Sequence, residues 1–463
     1  MSVIVCIISL GFLMFVAYRG FSVILFAPIA AIIGVVLTEP SALLPIYSGL
    51  FMNKMVVFIE NYFPVFLLGA VFGKLIEMSG FAQSIVSAAI RTIGRDRAIL
   101  SIAIVGALLT YGGVSLFVCV FALYPFAVEM FRSLDIPKRL IPATIIFGTA
   151  TFTMDALPGT PQIQNIIPTS FFNTTTYAAP TLGIIGAIFI FAAGLTFLNW
   201  RRKTLQAQGE GYGTGHTNEP EQVAPASLPN PILSICPLLL VGIVNLFFTH
   251  FLPTLFPAVV EVQMNSITKP VIQKLSSVKG IWSVEIALVV GILFVVIAAF
   301  PTLKAKFAEG SKAAVGGALL ATMNTASEYG FGSVIAALPG FVVIRDSLSA
   351  IPNPLLNEAI TVNVLAGITG SASGGMSIAL AAMSEQFIAA ANAAGIPLEV
   401  LHRVASMASG GMDTLPHNGV IITILAICGL THRQSYPDIF AITCIKSCAA
   451  FLVVGVYYLT GLV

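Results

Sequence analysis

Apolar residues fill the chain in long runs that are separated by short polar breaks. A run of about 20 apolar residues is long enough to cross the hydrocarbon core of a bilayer as a helix. The runs predict full spans near residues 2–17, 21–37, 56–79, 139–171, 181–199, 231–251, 281–300, 311–338, 400–430 and 437–461. Two further runs, 97–131 and 360–393, are interrupted near their midpoints by small residues. The pattern predicts an all-α polytopic membrane protein with about ten full spans.

The composition strengthens this prediction. Hydrophobic residues make up 57% of the chain and charged residues only 9%, whereas soluble domains carry about 25% charged residues. The formal net charge is +2, and no basic block is present that would bind a nucleic acid backbone. The six cysteines lie in apolar segments and form no CxxC pair. We therefore expect buried thiols, with neither a metal site nor a cofactor.

Basic residues flank the first interrupted run on both sides. They are Arg91, Arg95 and Arg97 before it and Arg132, Lys138 and Arg139 after it. Because positive residues mark the cytoplasmic side of a membrane protein, both ends of the run 97–131 are expected on one side. This predicts a re-entrant hairpin with its tip at Gly112 and Gly113. The alternative is one ordinary long span that happens to contain a pair of glycines.

One short element occurs twice, as MDALP at residues 154–158 and as MDTLP at residues 412–416. Each copy places an acid and a helix-breaking proline inside an apolar run. An amide follows each copy, Asn165 in the first and Asn418 in the second. Paired interruptions in two halves of a chain indicate the binding site of a transporter. The alternative is a pair of structural kinks whose acids face solvent.

Three further matches support a duplication. Gly80-Phe81 aligns with Gly340-Phe341, residues 112–115 align with 374–377, and Ile136-Pro137 aligns with Ile396-Pro397. The charge pattern makes the two copies inverted relative to each other, related by a pseudo-two-fold axis in the membrane plane. The predicted domains are a first repeat at 1–199 (scaffold helices 1–79, hairpin 97–131, broken helix 139–171), a flexible cytoplasmic linker at 200–230, and a second repeat at 231–463 (hairpin 360–393, broken helix 400–430).

Hairpin tips and helix breaks from both copies are expected to meet near the midplane and bind an anion. Glycine allows the backbone to approach a ligand closely, and helix N-termini present unpaired N–H groups. No Arg or Lys lies within these motifs, and His402 and Arg403 are expected at the membrane interface. The predicted substrate-binding residues are Gly112, Gly113, Ser115, Thr153, Thr160, Asn165, Ser373, Gly374, Gly375, Ser377, Thr414 and Asn418.

The predicted proton-coupling residues are Asp155, Asp413, His417 and Glu328. Acids and histidines inside a membrane span are the usual members of proton relays. An alternative for the two aspartates is to cap the second half of each broken helix. His417 could instead be a packed neutral histidine, and Glu328 could lie close to an interface rather than line the cavity.

Several runs resemble the gluconate permease family of the ion transporter superfamily, namely LLTYGGVSLFVCVFALYPFA, RLIPATIIFGTATFTMDALPGTPQIQNIIPT and ASGGMDTLPHNGVIITIL. The runs AYRGFSVILFAPI and FPVFLLGAVFGKLIEMSGF are most similar to members described as D-β-hydroxybutyrate permeases. The resemblance implies a proton-coupled symporter for a small hydroxy-carboxylate in a bacterial inner membrane. It also implies a homodimer with scaffold helices at the interface and a moving transport domain.

Two features refine what the resemblance implies. The superfamily usually has Ser-Asn-Thr motifs at its hairpin tips, whereas this chain has Gly-Gly-x-Ser, which favours protons over sodium. Val114, Met376 and Ile163 make the motifs apolar. A short acid such as 3-hydroxybutyrate is therefore favoured, and gluconate or another sugar acid is the alternative.

The sequence argues against two other classes of protein. A membrane-embedded enzyme would need a nucleophile with its base, an HExxH helix or a GxSxG elbow, and the sequence has none of these. A channel would not need duplicated breaks that carry acids. A Walker-type nucleotide loop is also missing from the sequence, which argues against transport driven by ATP.

Overall fold

The structure is a computed structural model that describes residues 2–19, 21–94, 97–114, 116–216, 219, 228–263, 269–349, 351–416 and 418–463. Two of the predicted site residues, Ser115 and His417, lie outside the described residues. The fold is helical, as the sequence predicted. Its strands are β1 (Val259–Val262) and β2 (Val271–Lys274), which pair antiparallel between two helices of the second repeat.

The helices of the first half are α1 Ser2–Tyr18, α2 Val23–Thr38, α3 Leu43–Pro45, α4 Met52–Met78, α5 Phe81–Ile93, α6 Ala98–Tyr111, α7 Leu116–Ser133, α8 Leu140–Thr149, α9 Phe152–Asp155, α10 Ile163–Phe172 and α11 Pro180–Ala207. Those of the second half are α12 Pro231–Leu255, α13 Leu275–Ala298, α14 Phe300–Leu303, α15 Phe307–Ala337, α16 Pro339–Ser349, α17 Pro354–Thr369, α18 Ala372–Ala393, α19 Leu398–Ser409, α20 Gly419–Cys428 and α21 His432–Thr460. Short 3₁₀ and π turns join α2 to α4.

Five helical segments of the described chain are long and apolar enough by themselves to cross a membrane. They are Pro40–Met78, Pro180–Ala207, Pro231–Leu255, Leu275–Ala298 and His432–Thr460. The predicted span 311–338 is the continuous helix α15, and the remaining predicted spans are shorter apolar helices such as α2 or helices that are interrupted within the span. The prediction of a polytopic all-α membrane protein is therefore confirmed.

Both predicted helix breaks are confirmed. The span at 139–171 forms α8, α9 and α10, with an irregular segment at residues 156–162. The span at 400–430 forms α19 and α20, and residues 410–416 and 418 between them are irregular. Prolines in these segments lack the N–H that the helical ladder needs, so the helix ends before each of them.

Both interrupted runs are helical hairpins. The first consists of α6 and α7 and turns at residues 112–114. The second consists of α17 and α18 and turns at Gly370 and Ser371, earlier than the predicted tip at Gly374 and Gly375. Gly370 has a φ of 65°, a left-handed conformation that glycine adopts without strain. The Ser371 hydroxyl then accepts a hydrogen bond from Gly374 N at 3.0 Å, so the glycine pair lies in the first turn of α18.

The packing of the helices shows the duplication. The pair α1 and α2 packs as α12 and α13 do, and α6 packs on α8 as α17 packs on α19. Between the repeats, α2 packs on α15 as α13 packs on α4, and α1 packs on α16 as α12 packs on α5. The helices α4 and α15 contact each other, as do α11 and α21. The sequence predicts five spans in the first repeat, and an odd number of crossings would invert the second repeat relative to the first, as in an inverted-topology transporter.

Residues 208–216 of the predicted linker pack on the connection between α7 and α8. The backbone N–H of Tyr212 donates to Asp135 Oδ1 at 2.8 Å. Glu219 accepts from Lys138 Nζ at 2.7 Å and also pairs with Arg132. At the other end of the linker, Asn230 caps the N-terminus of α12. Tyr212 and Glu219 of the linker therefore have defined partners on the first repeat, and Asn230 has one on the second.

Candidate functional site

The two predicted aspartates lie where the helix breaks of the two repeats meet. Asp155 ends α9 and Asp413 lies between α19 and α20, and their exposed fractions are 2% and 7%. The Asp413 carboxylate accepts a hydrogen bond from Lys446 Nζ at 2.8 Å. Lys446 belongs to α21 and is 1% exposed. A methyl group added to Gly410 would collide with Asp155 Oδ2 and lie 3.4 Å from Lys446 Cε. The two acids and the lysine therefore converge beside Gly410.

A second buried cation, Arg403 on α19, holds the break of the first repeat. Its Nε and Nη2 donate to Ala178 O at 3.1 and 2.7 Å, and Nη2 also donates to Thr176 O at 3.4 Å. Its Nη1 donates to Asp155 O at 3.2 Å and to Asn165 Oδ1 at 3.1 Å. A guanidinium group has five N–H donors, and all of them are used within the protein. Arg403 thus satisfies carbonyl groups that the broken helix leaves without a helical partner.

His402 lies beside Arg403 and is also fully buried. Its Nδ1 lies 2.6 Å from Thr174 Oγ1 and its Nε2 lies 3.2 Å from Asn165 Oδ1. The prediction that His402 and Arg403 lie at the membrane interface is wrong. The irregular backbone of the first break supplies enough acceptors to bury both side chains, and the sequence of α19 alone does not reveal those acceptors.

The two amides that follow the acids have similar structural roles. Asn165 Nδ2 donates to Thr160 O at 3.0 Å and to Thr176 O at 2.8 Å. Asn418 Nδ2 donates to Asp413 O at 2.7 Å and to Gly370 O at 2.8 Å. Asn418 Oδ1 also caps α20 by accepting from the backbone at its first turn. Each amide therefore fixes the break in which it lies, and Asn418 also joins it to the second hairpin.

The predicted hydroxyl groups are buried and differ in their partners. Thr414 Oγ1 lies 2.6 Å from Thr443 Oγ1, and Thr153 Oγ1 donates to Gly148 O at 3.2 Å. Thr160 Oγ1 and Ser377 Oγ have no hydrogen-bond partner in the part of the chain that is described. These two hydroxyl groups remain able to bind another molecule.

The glycines of the first hairpin are closely packed. A methyl group added to Gly112 would collide with the side chain of Leu238 on α12. Gly113 has a φ of 90°, and an added methyl group would lie 3.3 Å from Pro161 Cγ. Both glycines therefore have a structural reason to be small, in addition to the predicted approach to a ligand.

The second hairpin contacts Glu328 of α15. A methyl group added to Gly374 would collide with the Glu328 carboxylate, and one added to Gly375 would collide with the backbone of Ala366. Ser373 Oγ lies 3.4 Å from Thr325 Oγ1, also on α15. Glu328 is 4% exposed and forms no ion pair with another described residue. The structure thus places Glu328 against the second hairpin, and Asp155 and Asp413 against Lys446.

Sequence reasoning missed Lys446, Asn363 and Glu358. Lys446 lies in the apolar run 437–461, and a lysine inside a span is itself a sign of function. Glu358 is 0% exposed on α17, and neither of its carboxylate oxygens has a hydrogen-bond partner among the described residues. A search for every charged residue inside the apolar runs would have found Lys446. It would not have found Glu358, which precedes the predicted run 360–393.

Two surface cavities of the described chain lie away from this cluster. One of about 420 Å³ is an open apolar groove on α12, between Ile243 and Phe251. The other, of about 150 Å³, lies between the linker and the start of α21 and includes Lys138, Tyr212 and Gln434. Neither includes a residue of the Asp155–Asp413 cluster, in keeping with the nearly complete burial of those side chains.

Two inverted repeats whose broken helices enclose buried acids and cations define a polytopic membrane transporter. The chain is 57% identical over 472 residues to the uncharacterized transporter YxjC of Bacillus subtilis strain 168, and the match covers 100% of both chains. The chain therefore belongs to the family of that transporter, and it is a transporter rather than an enzyme. No protein-family model matches the chain.

Two solved structures are similar in fold. The MtrF protein of Neisseria gonorrhoeae, described with a class of antimetabolite efflux pumps, has a TM-score of 0.50 and 13% sequence identity over 89% of this chain and 84% of its own. The YdaH transporter of Alcanivorax borkumensis, described as having an unusual topology, has a TM-score of 0.48 and 13% identity over 91% of this chain and 90% of its own. At this identity the likeness to MtrF concerns the fold alone.

Proposed function

We propose that the protein is a proton-coupled symporter that imports a small hydroxy-carboxylate across a bacterial inner membrane, with 3-hydroxybutyrate preferred to gluconate. The observation that carries the proposal is the buried ion pair of Lys446 and Asp413, with Asp155 beside it, at the crossing of two helix breaks. Charges at such a position are costly and mark substrate or proton pathways. The resemblance to the gluconate permease family supports a carboxylate as the substrate.

Protons bind at the buried carboxylates in this proposal. Asp413 has a cation in direct contact, so gain of a proton would change its interaction with Lys446. Asp155 Oδ1 is buried and has no hydrogen-bond partner among the described residues, which leaves it able to carry a proton. Glu328 and His417 remain further candidates, Glu328 because it lies against the second hairpin.

The substrate is proposed to be short because the surroundings of the hairpins are apolar. Val114 and Met376 are both 0% exposed. A polyhydroxylated acid such as gluconate needs a partner for each hydroxyl group, since burying an unpaired hydroxyl is unfavourable. A four-carbon hydroxy acid has one such group and more apolar surface. Thr160 Oγ1 and Ser377 Oγ are candidates to bind the hydroxyl group, because neither has a partner among the described residues.

The resemblance also supports a homodimer in which the scaffold helices α1, α2 and α4 form the interface. The hairpins and broken helices would then move as a transport domain relative to that scaffold. Glu328 on α15 contacts the second hairpin and would lie between the two parts.

The test is uptake into proteoliposomes that contain the purified protein. We expect an inward pH gradient, acidic outside, to drive accumulation of radiolabelled 3-hydroxybutyrate, and unlabelled 3-hydroxybutyrate to compete better than gluconate. Counterflow of labelled substrate distinguishes a transporter from a channel. Protein-free liposomes control for diffusion of the protonated acid. Accumulation that requires a sodium gradient would contradict proton coupling, and stronger competition by gluconate would reverse the proposed preference.

A further inference from the structure

Two hydrogen-bond donors converge on Gly411, next to the buried ion pair. A methyl group added to Gly411 would collide with Asn363 Nδ2 and lie 3.0 Å from Ser447 Oγ. Asn363 belongs to α17 and is 5% exposed, and Ser447 belongs to α21. Neither atom has a hydrogen-bond partner among the residues that the structure describes. Because buried polar groups are nearly always paired in proteins, the two donors are available for an acceptor from another molecule.

Lys446 adds a cation to these two donors. It precedes Ser447 on α21, and its side chain reaches Gly410, the neighbour of Gly411. An ammonium group has three N–H donors, and Asp413 Oδ1 takes one of them at 2.8 Å. An amide, a hydroxyl and an ammonium group thus converge beside Gly410 and Gly411, and the Asp155 carboxylate also approaches Gly410. Such a set of convergent donors is suited to a carboxylate.

We propose that Lys446, Asn363 and Ser447 bind the carboxylate of the substrate, and that a proton on Asp413 releases Lys446 for this contact. The inference rests on the proposed function and names the binding site for it. In the present structure Asp413 is the counter-ion of Lys446, so an ionised Asp413 and a substrate carboxylate compete for the same ammonium group. Protonation of Asp413 neutralises the competitor. The substrate carboxylate then takes the place of the Asp413 carboxylate as the counter-ion.

The other charged groups around Asp413 make this exchange specific. Arg403 on α19 cannot bind the substrate because its five donors are occupied. Its charge lies beside Asp155, which approaches from α9. Two acids and two cations leave the cluster neutral without substrate, and one proton with one carboxylate keeps it neutral. Either ion alone would leave a net charge buried in the membrane, which is costly. Proton and substrate are therefore expected to bind together.

The experiment is a titration of the purified full-length protein with 3-hydroxybutyrate at several pH values, read by calorimetry. For the wild type, the Kd should rise about tenfold per pH unit in the range where Asp413 is ionised, because one proton is linked to binding. Asp413→Asn should bind with a Kd that does not depend on pH. Asn363→Ala and Ser447→Ala should each weaken binding by roughly tenfold or more, the usual effect of losing a hydrogen bond to a charged group.

Lys446→Met alone leaves Asp413 buried without its cation, which endangers folding. The double variant Lys446→Met with Asp413→Asn removes both charges and is compared with Asp413→Asn alone. Only the double variant should lose binding. Matched controls are Lys74→Met, which removes a half-buried lysine paired with Glu77, and Asn199→Ala on α11. Both controls should bind as the wild type does.

The outcomes separate the inference from the function on which it rests. If the wild type binds 3-hydroxybutyrate and the double variant binds as well as Asp413→Asn, the binding site is refuted while the function stands. If Asp413→Asn keeps the wild-type pH dependence, the proton is not on Asp413 and the exchange is refuted. If the wild type binds neither 3-hydroxybutyrate nor gluconate at any pH, the proposed function fails, and this inference fails with it.

Discussion

Arg403→Lys tests whether the buried arginine supports the structure of the first break or binds substrate. A lysine side chain keeps the positive charge, but its three N–H donors are all on one nitrogen atom. It therefore cannot reach all the acceptors that surround the three nitrogen atoms of a guanidinium group. Arg403 donates to three backbone carbonyls and to Asn165 Oδ1. Lysine has three donors where arginine uses five, so at least two hydrogen bonds from a charged donor would be lost, at about 1.5–3 kcal/mol each. We therefore expect a loss of roughly 3–6 kcal/mol in stability.

The assay is thermal unfolding in detergent, with and without 3-hydroxybutyrate, alongside the Kd of the protein that stays folded. If Arg403 is structural, the melting temperature falls clearly and the Kd changes little. Arg91→Lys is the control, because Arg91 is exposed and donates only to Ser87 O in its own helix among the described residues. Wild-type stability of Arg403→Lys, together with a large rise in Kd, would refute the structural role and assign the arginine to the substrate.

Three further predictions concern the charge cluster. Gly410→Ala should abolish transport because the added methyl group collides with Asp155 Oδ2, whereas Gly419→Ala, which meets no atom within 4 Å, should transport normally in the same uptake assay. Asp413→Asn should lose accumulation driven by a pH gradient and keep substrate exchange, and Asp155→Asn should lose less of this accumulation. Accumulation by Asp413→Asn would place the coupling proton elsewhere. Symport of one proton with one carboxylate carries no net charge, so a valinomycin-imposed potassium potential at equal pH should drive no accumulation, and potential-driven uptake would exclude this ratio.

The sequence was sufficient to predict the architecture because the relevant signals are local. Apolar runs set the spans, and proline and glycine set the breaks, within windows of about 20 residues. The duplication was also visible because each copy kept its order of motifs. The predicted tip at Gly374-Gly375 lies a few residues after the observed turn. The turn is at Gly370 instead, because its left-handed backbone ends α17.

The cations of the site could not be predicted in the same way, because their partners are distant in the sequence. Arg403 and Asp155 lie 248 positions apart, and Lys446 and Asp413 lie on either side of α20. An arginine near one end of an apolar run looks like an interfacial residue until the carbonyls of the other repeat are known. The amides Asn165 and Asn418 pose the reverse problem. Their positions beside the acids suggested a ligand, but their hydrogen bonds are largely taken by the backbone of the breaks.

The structure breaks the symmetry of the repeats in a way that favours one of the two acids for coupling. Both cations come from the second repeat, Arg403 from α19 and Lys446 from α21. Arg403 fixes the first break through several acceptors at once, so this break is held in one conformation. Lys446 is bound to Asp413 through one short contact, which a single proton can weaken. A coupling step needs a contact that changes during the cycle. For this reason the second break, rather than its duplicate, is where proton binding is expected to alter the substrate site.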